Sequence, residues 1–167
     1  VPGSQTLVEG MERVEPGQWI AFGPSGVEKG TFFSFENLSD SPMTEEELKA
    51  AFADAVRMRL RSDVPLGIFL SGGIDSSLLV ERATQSIPAG DLHTFSIGFE
   101  DPSFDESSHA EKVARHFGTL HHHRLCTEEE MLRVLPRALA ALDEPMADGS
   151  FLPTYLLSEF ARETVTV

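Results

Sequence analysis

The sequence predicts an α/β fold, a parallel sheet with helices on both faces, preceded by a short β segment. Three observations carry this. From Thr44 onward, short apolar strand-like runs alternate with segments of helical period, and right-handed crossovers between such units build a parallel sheet covered on both sides. The run 65–70, PLGIFL, is continuously apolar and passes through Ser71-Gly72-Gly73 straight into an apolar helix. Residues 1–38 have another texture, with Gly10, Gly17, Gly23, Gly26 and Gly30 punctuating short stretches such as Gln18-Trp19-Ile20-Ala21-Phe22, a spacing of strands and turns.

In order along the chain, 36–42 reads as a linker. Thr44 with Glu47 forms a capping box, and Leu48, Ala51, Phe52, Ala55 and Val56 recur at helical spacing. Acidic residues open this helix and Arg57, Arg59 and Arg61 close it, matching the macrodipole; phosphate contact by these arginines is the alternative. Residues 65–70 predict a buried strand without alternation. Asp75, Ser76 and Ser77 are expected to supply the polar cap of the next helix, which runs to about Gln85. Ile87-Pro88-Ala89-Gly90 breaks it, and 92–99 is a second strand. Asp105 or Ser107 caps a helix with Ala110, Val113, Ala114 and Phe117 on its apolar face, ended by Gly118. A third strand covers 120–125. There His121 and His123 share a face, which leaves a structural and a metal-binding reading open. Thr127 and Glu130 form a second capping box, Pro136 is expected to kink or restart the helix that follows, and 143–150 is a polar loop. Pro153 suits the first turn of a last helix reaching about Glu163, and Val165-Thr166-Val167 opens a fourth strand.

The loop at 71–77 is where chemistry is expected. Two glycines permit a tight turn and close backbone approach to a ligand. A turn between a strand and a helix start gathers free N–H groups at the positive end of the helix dipole, where phosphate binds well. It is neither a GxxxxGK[ST] loop nor a GxGxxG fingerprint. In place of lysine it carries hydroxyls and one carboxylate, Asp75, which makes sense beside polyphosphate if Mg²⁺ lies between them. A strand–turn–helix without a ligand is the bland alternative.

The wording SGGIDSS resembles the SGGxDS pyrophosphate loop of the ATP pyrophosphatases. The longer run 62–77, SDVPLGIFLSGGIDSS, resembles the synthetase domain of the glutamine-hydrolysing asparagine synthetases. So do Thr94-Phe95-Ser96-Ile97-Gly98-Phe99, Phe104-Asp105-Glu106-Ser107, Leu142-Asp143-Glu144-Pro145 and Pro153-Thr154-Tyr155-Leu156-Leu157-Ser158. In residues 1–38, Leu7-Val8-Glu9-Gly10 and Glu15-Pro16-Gly17-Gln18-Trp19 resemble the end of the same family's glutaminase domain. The resemblance implies two parts: 1–38 as a remnant of that domain, and 39–167 as the first part of the synthetase domain, with an adenine-nucleotide α-hydrolase-like sheet. Ligands of such sheets bind at the carboxyl ends of strands, here Leu70 with its loop and Ile97-Gly98-Phe99.

The implied reaction is formation of asparagine from aspartate, ATP and glutamine-derived ammonia through β-aspartyl-AMP. By resemblance Ser71, Gly72, Gly73, Ser76 and Ser77 hold pyrophosphate, Asp75 is the Mg²⁺ ligand, and Leu70 and Ile97 contact adenosine, partly through backbone groups. Asp143, Glu144, Asp148 and Ser150 fall where relatives place part of the aspartate site; a solvated loop is the other reading. Catalytic residues are not assigned. The family's glutaminase begins with a catalytic cysteine, whereas this chain opens on Val1. Its second acidic loop, SGDGGDE or a variant, and a later lysine would lie past Val167. The chain is therefore expected to be an excised, inactive part of a longer enzyme. Alternatives are a synthetase making an amide or lactam from another carboxylate, a tRNA-modifying thiolase with the same loop, and a nucleotide-binding module without catalysis.

Bulk properties narrow the partners. A chain of 167 residues with 41% hydrophobic and 24% charged residues suits one soluble domain with a sizeable core. A net charge of −14 argues against nucleic acid. Cys126 is the single cysteine, which excludes an internal disulfide and fits a reduced, cytoplasmic setting. No apolar run is long enough to span a membrane. Self-association as a homo-oligomer is left open.

Overall fold

The computed structural model describes residues 3–37 and 42–167. The chain divides into two compact units, Val1–Met43 and Thr44–Val167. The expected linker 36–42 falls largely on 38–41, outside the described residues. Its first residues belong to a 3-10 turn, Phe35–Asn37.

The first unit is built on an antiparallel hairpin, β1 (Gln18–Gly23) and β2 (Gly26–Thr31), closed by the pair Gly23↔Gly26. Gly26 takes φ +122°, which a side chain rarely adopts, and this lets the chain reverse over two residues.

The second unit carries α1 (Glu45–Arg59), β3 (Gly67–Phe69), α2 (Ile74–Ala83), β4 (His93–Phe99), α3 (Ser107–Phe117), β5 (Leu120–Cys126), α4 (Glu128–Ala140) and α5 (Phe151–Ala161). The three strands form a parallel sheet in the order β3-β4-β5. Register fixes the faces. Ile68 lies opposite Thr94 and Phe69 opposite Phe95, so successive residues of β3 and β4 face opposite ways. Ile68 and Leu70 pack on Val80 of α2 and on Ala110 and Ala114 of α3. Phe95 packs on Ala161 of α5, and Ile97 and Phe99 pack with Val134 of α4 and Leu156 of α5. Helices thus cover both faces, as the sequence predicts. α1 seals the end of the α2 side through Val56 against Ala83 and Leu92.

The terminal residues add a topological fact. The N–H groups of Thr166 and Val167 donate to Pro65 O at 2.9 and 3.2 Å, and Gly67 N–H donates to Val167 O at 2.8 Å. That alternation belongs to a parallel pair, here one residue long. The predicted fourth strand therefore starts beside β3, on the side away from β4. After stepping β3 to β4 to β5 through α2 and α3, the chain returns over the other face through α4 and α5 to the far edge of β3. The strand order reverses at β3.

Several expectations need correction. The strand at 65–70 is ladder-paired only over Gly67–Phe69, and Phe69 is 43% exposed, because its outer neighbour is only the short terminal pairing. Pro136 does not restart α4 as a second helix; the helix runs continuously through it. Proline forfeits one backbone hydrogen bond, and burial of Val134 and Ala138 on either side of it holds the helix together. α2 stops at Ala83, short of Gln85, and α5 at Ala161, short of Glu163. Both capping boxes form as expected: Glu47 N–H donates to Thr44 Oγ1 and Glu130 N–H to Thr127 Oγ1, each at 3.2 Å.

Candidate phosphate and adenine site

The turn at 71–73 is set by what crowds it. Gly72 takes φ +83°, and a Cβ there would lie 2.5 Å from Ala110 N and 2.6 Å from His109 Cβ. The turn is pressed against the first turn of α3, and only glycine fits both the backbone angle and the space. Gly73 follows at φ −68°, ψ 166°, as the N-cap of α2, and has no side chain with which to cap.

The expected polar cap is not there. Ser76 Oγ and Ser77 Oγ both donate to Gly73 O, at 3.2 and 2.7 Å, and so add to an acceptor instead of satisfying the helix's free donors. Ser71 Oγ accepts from Gly73 N–H at 3.2 Å and sits 3.1 Å from Ser76 Oγ. The first intrahelical bond runs from Ser77 N–H to Gly73 O at 3.0 Å. The amides of Ile74, Asp75 and Ser76 thus precede the helical ladder, at the positive end of the dipole, with no side chain capping them. Asp75 is exposed in this first turn.

A cavity of about 420 Å³ opens beside the loop at the carboxyl end of the sheet. Leu70, Ser71 and Ile97 line it, so two of the strand ends expected to converge do so. Leu70 as a whole is only 1% exposed and packs in the α2–α3 core, so it forms a closed part of the wall. Gly72, Gly73, Asp75, Ser76 and Ser77 stand next to the cavity in sequence and do not line it.

The acidic loop divides. Ser150 lines the cavity. Asp148 Oδ1 accepts from Ser150 N–H at 2.8 Å, and bonds from the Ser150 backbone and hydroxyl hold its carboxyl below the usual range. Asp143 and Glu144 are exposed and line neither this cavity nor the larger one described next. That larger cavity, about 690 Å³, follows the outer edge of β3 between α1 and α5 and contains none of the expected site residues.

Sequence reasoning missed part of the wall. Phe104, Glu106, Pro153 and Thr154 also line the 420 Å³ space. Phe99, at the strand end expected to face a ligand, lines it too. Asp105 and Glu106 share the start of α3. Glu106 is the N-cap without a capping side chain, so neither expected cap holds in the ordinary sense. The Asp105 carboxylate instead accepts from Ser107 Oγ and Ser107 N–H, at 2.9 and 3.1 Å. Those two bonds are the main cause of its lowered pKa.

The histidine run is occupied. On the α3 side His121 bridges Thr94 Oγ1 and Ser96 Oγ at 3.0 and 3.1 Å, and Ser96 Oγ lies 3.1 Å from His123 Nδ1. On the other face His122 Nε2 lies 2.9 Å from His93 Nδ1, and its ring stacks on Phe95. Burial, then the neighbouring histidines, push the His121 pKa down. Among the described residues, no group of three or more His, Cys, Asp or Glu side chains could hold a metal ion. The Cys126 thiol is buried, and that burial pushes its pKa up, as for an unreactive core thiol.

Fold and site together define a parallel α/β domain covered on both faces, with an uncapped strand–Ser-Gly-Gly–helix loop at its carboxyl edge. Residues 47–167 match the model of the asparagine synthase family, and the chain belongs to that family. It is 37% identical over its whole length to asparagine synthetase [glutamine-hydrolyzing] 1 of Bacillus subtilis, covering 27% of that protein. Over 80% of its length it is 42% identical to a putative asparagine synthetase [glutamine-hydrolyzing] 2 of Methanocaldococcus jannaschii, covering 26% of that one. Asparagine synthetase B of Escherichia coli is 34% identical over 76% of this chain and 25% of its own. The chain spans about a quarter of the length of these curated relatives.

Proposed function

We propose that this chain is the nucleotide-binding part of an ATP-dependent synthetase that forms asparagine from aspartate and ammonia. The observation that carries the reading is the uncapped start of α2 beside the cavity reaching Ile97. Phosphate would take the free amides of Ile74, Asp75 and Ser76 and the hydroxyl of Ser71, with those of Ser76 and Ser77 joining by turning from Gly73 O. Gly72 and Gly73 let the backbone approach. Adenine would lie in the cavity against Ile97 and Phe99 and the backbone of Leu70. Ser150, held by Asp148, borders the same space and is the member of the acidic loop best placed to meet the acceptor carboxylate. Asp143 and Glu144 would need other parts of the protein to join them there.

The chemistry follows from what must be stabilised. The aspartate side-chain carboxylate attacks the α-phosphorus of ATP, the bond to the β-phosphate breaks, and pyrophosphate leaves. Ammonia then displaces AMP from β-aspartyl-AMP. Fixed amide dipoles aimed at the departing pyrophosphate lower the barrier without reorganising. A lone exposed carboxylate with no protein cage fits a Mg²⁺ that arrives on the nucleotide, since Mg²⁺ uses one or two carboxylates plus substrate phosphates. Asp75 would hold that ion, which neutralises charge on the phosphates when bound. Glutamine as the ammonia source, a glutaminase remnant in 1–38 and a cytoplasmic setting belong to the same proposal. Among the described residues no helix is long and apolar enough to cross a membrane.

Calorimetric titration of the chain with Mg·ATP and with pyrophosphate tests the reading. Affinity of about millimolar, roughly −4 kcal/mol, is expected, with pyrophosphate displacing ATP. Asp75→Asn is expected to weaken Mg·ATP about tenfold while leaving Mg²⁺-free pyrophosphate little changed. Failure of wild type to bind either ligand would overturn the site. In the full-length protein, pyrophosphate release that depends on a carboxylate other than aspartate would keep the site and replace the substrate.

A further inference from the structure

We propose that His109 is a further phosphate-binding residue, donating from its imidazole to the pyrophosphate portion of the ligand; this rests on the reading of the 71–77 loop given above. A loop that holds a polyanion needs positive or donor groups, yet the sequence has no lysine or arginine between Arg61 and Arg82. Beyond the loop's own amides and hydroxyls, a further donor can come from another element. The backbone angle of Gly72 presses the turn onto α3, so that a Cβ at 72 would lie 2.6 Å from His109 Cβ. His109 therefore leaves its helix at the rim of the loop, and it is exposed there.

Most backbone donors of the first turn of α3 are already taken. Ser107 N–H is taken by Asp105, and the N–H groups of His109 and Ala110 both donate to Glu106 O, at 2.9 and 3.2 Å. Besides Ser108 N–H, what this turn has left to offer phosphate is a side chain. The other histidines are committed elsewhere. His93, His121, His122 and His123 are in ring hydrogen bonds on the sheet, and His116 packs edge-on against Phe117. An imidazole has a ring N–H donor in either charge state.

The test is titration of the chain with inorganic pyrophosphate, for wild type, His109→Ala and His109→Arg. Loss of a hydrogen bond to a charged group is expected to weaken binding about tenfold in His109→Ala. His109→Arg, a donor with fixed charge, is expected to bind within twofold of wild type or more tightly. If wild type binds and His109→Ala binds equally well, the His109 contact is refuted and the loop site stands. If Ala and Arg lose affinity alike, the histidine only shapes the turn and the proposal is again refuted. If wild type fails to bind pyrophosphate, the reading of the loop itself falls.

Discussion

Two kinds of helix start coexist in the second unit. α1 and α4 begin with complete capping boxes, Thr44 with Glu47 and Thr127 with Glu130, each closing two backbone donors through reciprocal side-chain bonds. α2 begins at Gly73 with no side-chain cap. Glycine at an N-cap costs only roughly a few tenths of a kcal/mol relative to Ser, Thr or Asn, so the open start after the Ser-Gly-Gly turn costs little stability. It leaves donors for a ligand to satisfy. The boxed starts are closed structures; α3 and α5 also start without a side-chain cap, and the glycine start of α2 is the one proposed to hold phosphate.

The largest effect is expected where the turn is most constrained. Gly72→Ala would set a methyl 2.5 Å from a backbone nitrogen at φ +83°. It should cost roughly 2 kcal/mol or more in denaturant unfolding and abolish pyrophosphate binding. A tolerated Gly72→Ala with normal affinity would mean that the turn is looser than described. Ile97→Trp comes next. Filling the cavity wall should cut ATP affinity about tenfold or more and leave pyrophosphate affinity near wild type, since of the proposed phosphate donors only Ser71 lines the cavity and the amides of Ile74, Asp75 and Ser76 do not. Equal loss of both ligands would place adenine elsewhere. The smallest effect belongs to the boxed starts: Thr127→Ala should lower stability by about 1 kcal/mol and leave both affinities untouched.

The boxed starts were legible because a capping box is local: Thr, three residues and Glu are enough. The loop was legible for the same reason, as a strand, two glycines and an apolar helix in succession. Non-local features were not. Ser76 and Ser77 look like caps in sequence, yet their hydroxyls turn back to Gly73 O. Pro136 looks like a break, yet burial of Val134 and Ala138 overrides the lost bond. The polar ladder of Thr94, Ser96, His121 and His123 depends on the register of β4 against β5, and no single strand reveals register. Phe104 and Glu106 reach the cavity through the path of a loop, which no periodicity encodes. The acidic loop read as one cluster, but only Ser150 lines the cavity, because α5 begins there and its start lies at that wall.

The comparison is tested most directly by closing the open start. Gly73 already has N-cap angles, φ −68° and ψ 166°, and a Cβ there meets only Ser71 Oγ at 3.3 Å. Gly73→Asn would supply a neutral cap without added charge. Calorimetric titration of this variant with pyrophosphate should show affinity at least about tenfold below wild type, beside an unfolding free energy unchanged or a few tenths of a kcal/mol higher. Pyrophosphate affinity equal to wild type in a folded Gly73→Asn chain would contradict the claim that the free amides of α2 hold the phosphates.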